Sequence, residues 1–195
     1  MNTSKSILRT QIIQKIKELS PTQKLDLSSR ASAHLLEFIH SRRLKNICIT
    51  HSLPDEIDTQ NFLNNQTLNL RFYLPKVNKE RNELSIHLVE NIKNDLKLGT
   101  LNILEPITDE EKNWQKKVDC MVVPARAMDI EGNRLGRGKG HYDRLLAKVD
   151  AQKTVVVCMI YHCQLLAEVP TESFDVPIEY CITEKGVFHL RRKST

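Results

Sequence analysis

The sequence lacks long apolar runs and is poor in aromatic residues, which make up 5% of its 195 residues. No segment approaches the roughly 18 consecutive apolar residues that a membrane helix needs, so a membrane-spanning protein is excluded. The amino terminus carries charged residues and has no apolar signal-peptide core. We therefore expect a cytoplasmic protein with no membrane partner.

Paired cysteines are also missing. The five cysteines are odd in number and contain no C-x-x-C pair, and they are scattered over the chain at Cys48, Cys120, Cys158, Cys163 and Cys181. This pattern predicts neither a disulfide framework nor a zinc site.

The charge balance is only mildly positive. Lysine and arginine total 29 against 24 aspartates and glutamates, which gives a formal net charge of +5. With so few aromatic side chains, this balance does not call for a nucleic-acid partner, but it is compatible with anionic small molecules.

Two helices are predicted at the start of the chain. Apolar residues recur at a helical spacing over residues 4–19. Ser20 followed by Pro21 then predicts the N-cap and the first residue of a second helix, which runs toward His40.

Short apolar runs predict buried strands farther along the chain. They lie at residues 46–50, 70–74, 84–88, 118–123, 154–160, 178–182 and 187–190. Pro75 is expected to end the second of these strands.

Other segments predict helices and loops between the strands. A short helix is predicted over residues 58–63, a loop with some helix over 91–117, and an amphipathic helix from Gly140 to Val149. The alternation predicts a single-domain α/β protein with a mainly parallel sheet packed between helices. The domain is expected to span residues 1–190, followed by a basic tail at 191–195.

The small glycine content is concentrated in one segment. Four of the six glycines lie within nine positions, in the sequence GNRLGRGKGHYDR of residues 132–144. Glycines let backbone N–H groups approach a phosphate, while Arg134, Arg137 and Lys139 add full charges before a predicted helix N-terminus. The segment predicts a polyphosphate site; the alternative is a flexible, solvated basic turn.

This segment matches neither of the two common phosphate-binding glycine loops. A Walker loop requires glycine where Asn133 stands and a hydroxyl residue where Gly140 stands, and the dinucleotide pattern G-x-G-x-x-G has a different spacing. Asp143 and Asp175 are candidate Mg²⁺ ligands beside such a site, although Asp143 alone is equally explained by the helix dipole.

The same segment closely resembles the signature of the 5-formyltetrahydrofolate cyclo-ligase family, also called 5,10-methenyltetrahydrofolate synthetases. Further segments resemble the family in the same order along nearly the whole chain. They are Lys5-Ser6-Ile7-Leu8-Arg9, Asp55-Glu56-Ile57-Asp58-Thr59, Val122-Val123-Pro124, Gln164, Val169-Pro170, Asp175 and Ile182-Thr183.

The resemblance implies an ATP- and Mg²⁺-dependent ring closure. ATP would phosphorylate the N5-formyl oxygen of 5-formyltetrahydrofolate, N10 would attack the activated carbon, and phosphate would leave. The products would be 5,10-methenyltetrahydrofolate, ADP and phosphate. The resemblance also implies a fold similar to that of phosphosugar isomerases and CoA-transferases.

The resemblance further implies roles for individual residues. ATP contacts would come from Lys5, Arg9, Arg134, Leu135, Gly136, Arg137, Gly138, Lys139, Gly140, His141 and Tyr142, with Lys139 and Arg137 catalytic. Folate would meet His51, Glu56, Arg137, Gly138, Lys139, Gly140 and His141, and Mg²⁺ would meet Asp143 and Asp175. His51 and His141 stand where many family members carry larger apolar or aromatic side chains.

Several alternatives stay open at this point. Without the family, Lys5 and Arg9 are explained as a solvated helix face, and Glu56 and Asp58 as helix-capping charges. A relative of phosphosugar isomerases or acyl-CoA transferases is one alternative function. A basic RNA-binding protein using the loop and Arg191-Arg192-Lys193 is another, which the few aromatic residues disfavour. We expect small-molecule partners, no nucleic acid and a monomer.

Overall fold

The computed structural model describes residues 4–65, 68–109 and 113–190. The two helices predicted for the start of the chain are present. Helix α1 spans Lys5–Lys17 and α2 spans Pro21–Ser41. Ser20 and Gln23 form a reciprocal capping box at the start of α2, with Pro21 at the first helical position. The boundary follows because both the cap and the proline favour a helix start at this point.

The core is a seven-stranded sheet. Its strands are β1 (Asn46–Cys48), β2 (Arg71–Asn78), β3 (Glu83–Val89), β6 (Cys120–Val123), β9 (Val155–Met159), β11 (Tyr180–Thr183) and β12 (Gly186–His189). They lie side by side in the order β12-β11-β9-β6-β1-β2-β3. The five central strands are parallel, and β3 and β12 are antiparallel edges. The predicted mainly parallel, single-domain α/β architecture is confirmed.

Shorter elements complete the fold. They are α3 (Gln60–Leu63), β4 (Leu96–Leu98), β5 (Leu104–Pro106), β7 (Ala127–Asp129), β8 (Arg134–Leu135), α4 (His141–Leu146) and β10 (Leu165–Leu166). Strands β10, β7 and β8 form a small sheet of their own, and β4 pairs with β5. Among the described residues, no helix has the length and apolar character needed to cross a lipid bilayer.

Both faces of the large sheet are covered by apolar side chains. Within β6, Val122 belongs to the cluster that packs under α1 and α2, whereas Met121 and Val123 belong to the cluster that packs under α4. Alternation along a strand sends successive side chains to opposite faces, so continuous apolar runs are needed where both faces are buried. This explains why the central strands were recognisable from the sequence.

The prediction that β2 ends at Pro75 was wrong. The strand continues to Asn78, and Pro75 pairs with Ile86 of β3. The parallel pairing of β2 with β1 ends at Tyr73, so the missing N–H of Pro75 costs no ladder bond to β1. A proline is tolerated there because the strand is paired with only one of its sheet neighbours.

Two other predictions need correction. Residues 91–117 hold the β4–β5 hairpin and single 3-10 turns at 100–102 and 114–116, rather than only loop with some helix. The last predicted helix ends at Leu146, and Val149 packs on the same apolar cluster from the turn that follows. The basic tail at 191–195 lies outside the described residues.

Candidate functional site

The site lies at the carboxyl ends of the parallel strands. Thr50 follows β1, Pro124 follows β6 and Met159 ends β9, and these residues line one narrow crevice together with Ser52 and Glu56. Open parallel sheets bind ligands in crevices of this kind, because loops from neighbouring strands diverge there.

The glycine segment enters this region from the small sheet. Arg134 and Leu135, both buried and both within the segment, form β8. Two short strands, β7 and β8, thus separate the predicted strand at 118–123 from Gly136, Gly138 and Gly140. Gly138 and Gly140 have φ values of +92° and +65°, in the left-handed region that favours glycine. The loop conformation therefore depends on the glycines that the sequence analysis singled out.

Helix α1 presents Lys5 and Arg9 to the site, one helical turn apart. Arg9 Nε donates to the Gly136 carbonyl at 2.8 Å. Lys5 Nζ donates to Asp175 Oδ2 and to Glu172 Oε2, each at 2.7 Å. Burial alone would lower the pKa of Lys5, but its hydrogen bonds to the two carboxylates outweigh burial and raise that pKa. The two cations are therefore engaged by site segments rather than by solvent alone.

Arg134 and Asp143 form a buried ion pair. Arg134 Nη2 lies 2.6 Å from Asp143 Oδ1, and only 4% and 16% of the two side chains are exposed. The buried Arg134 Nε has no hydrogen-bond partner among the described residues, and Tyr142 faces the guanidinium at 5.8 Å from its ring centroid. Burial raises the pKa of Tyr142, so its phenol stays protonated.

Arg137 reaches across from the glycine loop to the acidic segment. Its Nε and Nη2 donate to Glu56 Oε1 at 3.0 and 2.9 Å, and Nη2 also donates to Asp55 Oδ1. Glu56 is thus placed beside the loop, whereas Asp58 accepts from the Gln60 N–H at the start of α3. The capping alternative holds for Asp58 and does not explain Glu56.

Arg126 is a site residue that the sequence analysis missed. Its Nη2 lies 2.5 Å from Asp55 Oδ2, and only 6% of its side chain is exposed. The hydrogen bonds and charges of Arg126 and Arg137 lower the pKa of Asp55 despite its partial burial, which opposes that shift. The available signal was a charged residue three positions after an apolar strand, between Ala125 and Ala127.

Lys139 is the one cation of the predicted catalytic pair without a carboxylate partner in the part of the chain that the structure describes. The residue is exposed, and its backbone carbonyl accepts from Arg144 Nη2 at 3.1 Å. Its ammonium is therefore available to an anionic ligand, in contrast to the guanidinium of Arg137.

The two unusual histidines lie in different surroundings. His51 is buried, its Nε2 has no partner within the described ranges, and burial lowers its pKa. His141 Nε2 lies 2.8 Å from Asn82 Oδ1, on the turn between β2 and β3. Burial and the nearby Arg144 and Lys139 lower the pKa of His141. Both rings are therefore neutral at pH 7.

The two predicted metal ligands stand in separate ion pairs. Asp143 pairs with Arg134 and Asp175 with Lys5. Across residues 4–65, 68–109 and 113–190, no group of three or more His, Cys, Asp and Glu side chains is arranged to hold a metal ion. Magnesium would thus need ligand oxygens besides those of the protein.

This arrangement of glycines, cations and acids occurs in a chain whose residues 1–184 match the sequence profile of the 5-formyltetrahydrofolate cyclo-ligase family. The chain belongs to that family. The resemblance to this family that the sequence indicated is confirmed, and family membership disfavours the isomerase, CoA-transferase and RNA-binding alternatives.

Relatives and solved structures agree with the assignment. The chain is 30% identical to the 5-formyltetrahydrofolate cyclo-ligase of Haemophilus influenzae, over 91% of this chain and 97% of the relative. It is 27% identical to the enzyme of that name from Escherichia coli, over 91% and 98% of the two chains.

The fold matches a solved structure of 5,10-methenyltetrahydrofolate synthetase from Aquifex aeolicus. The TM-score is 0.83 at 32% identity, covering 98% of this chain and 95% of that one. A synthetase from Mycoplasma pneumoniae shares the fold, with a TM-score of 0.73 at 24% identity over 93% and 99% of the two chains. The chain is thus an enzyme of the cyclo-ligase family with that family's fold.

Proposed function

We propose that this enzyme catalyses the ATP- and Mg²⁺-dependent cyclisation of 5-formyltetrahydrofolate to 5,10-methenyltetrahydrofolate. The terminal phosphoryl group of ATP passes to the N5-formyl oxygen, and N10 then attacks the formyl carbon. The carbon–oxygen bond breaks, phosphate leaves with the former formyl oxygen, and N10 releases its proton to solvent. Activation comes first because a formamide carbon is a poor electrophile and its oxygen a poor leaving group.

The observation that carries this proposal is the convergence of four cations on one glycine segment. Phosphoryl transfer depends mainly on positioning and on neutralising the charge of the phosphate oxygens. Gly136, Gly138 and Gly140 supply backbone N–H groups. Arg9 reaches the segment from α1 through the Gly136 carbonyl, and Arg134, Arg137 and Lys139 belong to the segment itself. Lys5, one helical turn before Arg9, adds a further charge beside Asp175.

We assign the catalytic charge to Lys139 and Arg137. Lys139 is exposed without a carboxylate partner among the described side chains, so binding a phosphate breaks no existing ion pair. Arg137 must exchange its acidic partners for the phosphate. Arg9 supports both residues indirectly, since its Nε holds the Gly136 carbonyl.

Glu56 and His51 belong to the folate side of the proposed site. The Glu56 carboxylate lines the crevice and can accept hydrogen bonds from the N–H groups of a pterin ring. Tyr161 Oη donates to the Glu56 carbonyl at 3.1 Å, which fixes the backbone of the acidic segment. Residues 137–141 would then lie between nucleotide and folate.

Asp143 and Asp175 suit the proposed Mg²⁺ in their donor chemistry. Asp143 uses Oδ1 for Arg134 and Asp175 uses Oδ2 for Lys5. Among the described residues, each therefore keeps one carboxylate oxygen for a cation. Magnesium in proteins takes one or two carboxylates and completes its shell with phosphate oxygens and waters. Bound there, Mg²⁺ would neutralise phosphate charge alongside the cationic side chains.

The proposal is tested by following the absorbance of the methenyl product. Purified protein is mixed with 5-formyltetrahydrofolate and Mg·ATP, and the assay is repeated without ATP. Turnover is expected only in the complete mixture. Lys139→Ala should lose at least about tenfold in rate, the scale of a single donor to a transition-state charge.

Lys153 provides a matched control for the loss of one lysine charge. It is exposed, pairs with Asp150 and lies just before the amino end of β9, whereas the site lies at the carboxyl ends of the parallel strands. Lys153→Ala should therefore keep the wild-type rate. Turnover in the absence of ATP, or equal losses in the two variants, would contradict the proposal.

A further inference from the structure

The Asp55 carboxylate lies between two arginines that come from different parts of the chain. Oδ2 is 2.5 Å from Arg126 Nη2, and Oδ1 accepts from Arg137 Nη2. The exposed fractions of the two arginines differ, at 6% for Arg126 and 33% for Arg137. One partner is thus embedded in the protein and the other reaches into the site from the loop.

Asp55, Glu56, Arg126 and Arg137 form a cluster whose charges balance only while both arginines are paired with the acids. Asp55 and Glu56 contribute two negative charges, and Arg126 and Arg137 contribute two positive ones. In the proposed reaction Arg137 turns to the nucleotide phosphate. Its departure would leave two adjacent acids, and like charges at close range disfavour each other.

Arg126 is held in place independently of the loop cations. Its backbone N–H donates to the Leu135 carbonyl at 2.7 Å, and its own carbonyl accepts from Gln164 Nε2 at 2.9 Å. The side chain is packed in the interior with Nη2 on Asp55. Arg126 can therefore remain on Asp55 while Arg137 changes partners.

We propose that Arg126 is a positioning residue for nucleotide binding. By keeping Asp55 compensated, Arg126 lowers the cost of releasing Arg137 to the phosphate. The inference rests on the proposed function, because it requires Arg137 to bind the nucleotide. Arg126, which lies outside the motifs recognised in the sequence, would thus determine how easily Arg137 leaves Asp55 to bind the nucleotide.

The test compares Arg126→Met and Arg126→Lys with the wild type by calorimetric titration with Mg·ATP and by steady-state kinetics. In Arg126→Met, Arg137 stays on Asp55, so nucleotide affinity should fall on the order of tenfold, within the range of coupling in one charge network. The KM for 5-formyltetrahydrofolate should change less than that for ATP. Arg126→Lys keeps the charge and should recover most of the affinity.

A second substitution asks whether Arg126 acts through Asp55. Adding Asp55→Asn to Arg126→Met removes the uncompensated acid and leaves Arg137 with Glu56 alone, so nucleotide affinity should return close to wild type. Asp55→Asn alone should bind Mg·ATP more tightly than wild type. If the double variant stays weak, Arg126 contacts the nucleotide directly and the positioning role is wrong.

A control variant and a salt series distinguish the effect of Arg126 on Asp55 from a general attraction of the anionic nucleotide by positive charge. Arg30 is an exposed arginine on α2, so Arg30→Met removes the same charge without touching Asp55. It should leave affinity unchanged. The Arg126→Met deficit should persist at high salt, because buried pairs are screened less than exposed charges.

Each outcome bears on a distinct claim. A folded Arg126→Met with wild-type affinity overturns the inference. If that variant does not fold, Asp55→Asn decides, and unchanged or weaker nucleotide binding overturns the inference. A wild-type protein that binds no Mg·ATP overturns the proposed function, and this inference with it.

Discussion

Removing Arg134 should destabilise the folded protein as well as weaken the site, and the amount follows from its burial. Arg134→Met leaves the Asp143 carboxylate, with 16% of its side chain exposed, facing an apolar side chain. Breaking a buried ion pair by removing one partner costs about 3–5 kcal/mol, and the residual exposure of Asp143 places this pair near the low end, at about 3 kcal/mol. The charge-assisted hydrogen bond at 2.6 Å is included in that figure.

The measurement is urea unfolding of the protein without ligands, which reports the free energy of unfolding from the transition midpoint and slope. A second variant isolates the charge. Arg134→Met combined with Asp143→Asn removes the unpaired carboxylate and should recover at least about 1 kcal/mol. A loss below about 1 kcal/mol in the single variant, or a double variant no more stable than the single one, would refute the reasoning.

Three further predictions concern the loop, the histidine and the acidic segment. Gly140→Ala should destabilise the fold by about 1 kcal/mol, because alanine is strained at φ +65°. Gly140→Asn should destabilise it less, since asparagine tolerates the left-handed region. Equal unfolding midpoints for wild type and Gly140→Ala would contradict this prediction. His141→Tyr should keep activity and flatten the pH dependence of the rate below about pH 6.5, because the lowered pKa of His141 means that the ring takes up its proton in that range. An unchanged pH–rate profile would show that the ring is not coupled to turnover. The lowered pKa of Asp55 stabilises the folded state above about pH 3.9, the unfolded value, and this stabilisation is lost as the pH falls through the folded value. The stability gap between wild type and Asp55→Asn should therefore narrow in acid, and a gap independent of pH would exclude the charge as its cause.

Local signals were enough to predict the central framework. The Ser20-Pro21 start of α2 is set by hydrogen bonds within a few residues, and the apolar runs of β6 and β9 follow from burial on both faces. Pro75 was misleading because its tolerance depends on where β1 stops pairing, a property of two strands far apart in sequence. The β7–β8–β10 sheet escaped prediction for the same reason, since β10 joins from residues 165–166.

In the candidate site, too, the features set by neighbouring residues were predicted and those set by contacts between distant residues were not. The glycine segment and its cations were identified from their spacing, because that chemistry lies within thirteen consecutive residues, 132–144. Arg126 and Asn82 were missed because their roles arise from contacts with Asp55 and His141, which are distant in the chain. The monomeric state, the cytoplasmic location, the 1–190 domain limits and the likeness to the phosphosugar isomerase and CoA-transferase fold stay predictions.

The bridge from Arg137 to Glu56 ties the two halves of the proposed site together thermodynamically. A nucleotide that took over this arginine would free the Glu56 oxygen for the pterin. A folate that occupied this oxygen would leave Arg137 held by Asp55 alone and would so ease its transfer to the nucleotide. Each ligand would then promote binding of the other, and linkage requires the two enhancement factors to be equal. Synergism of this kind would favour the ternary complex over either binary complex and limit unproductive hydrolysis of the nucleotide.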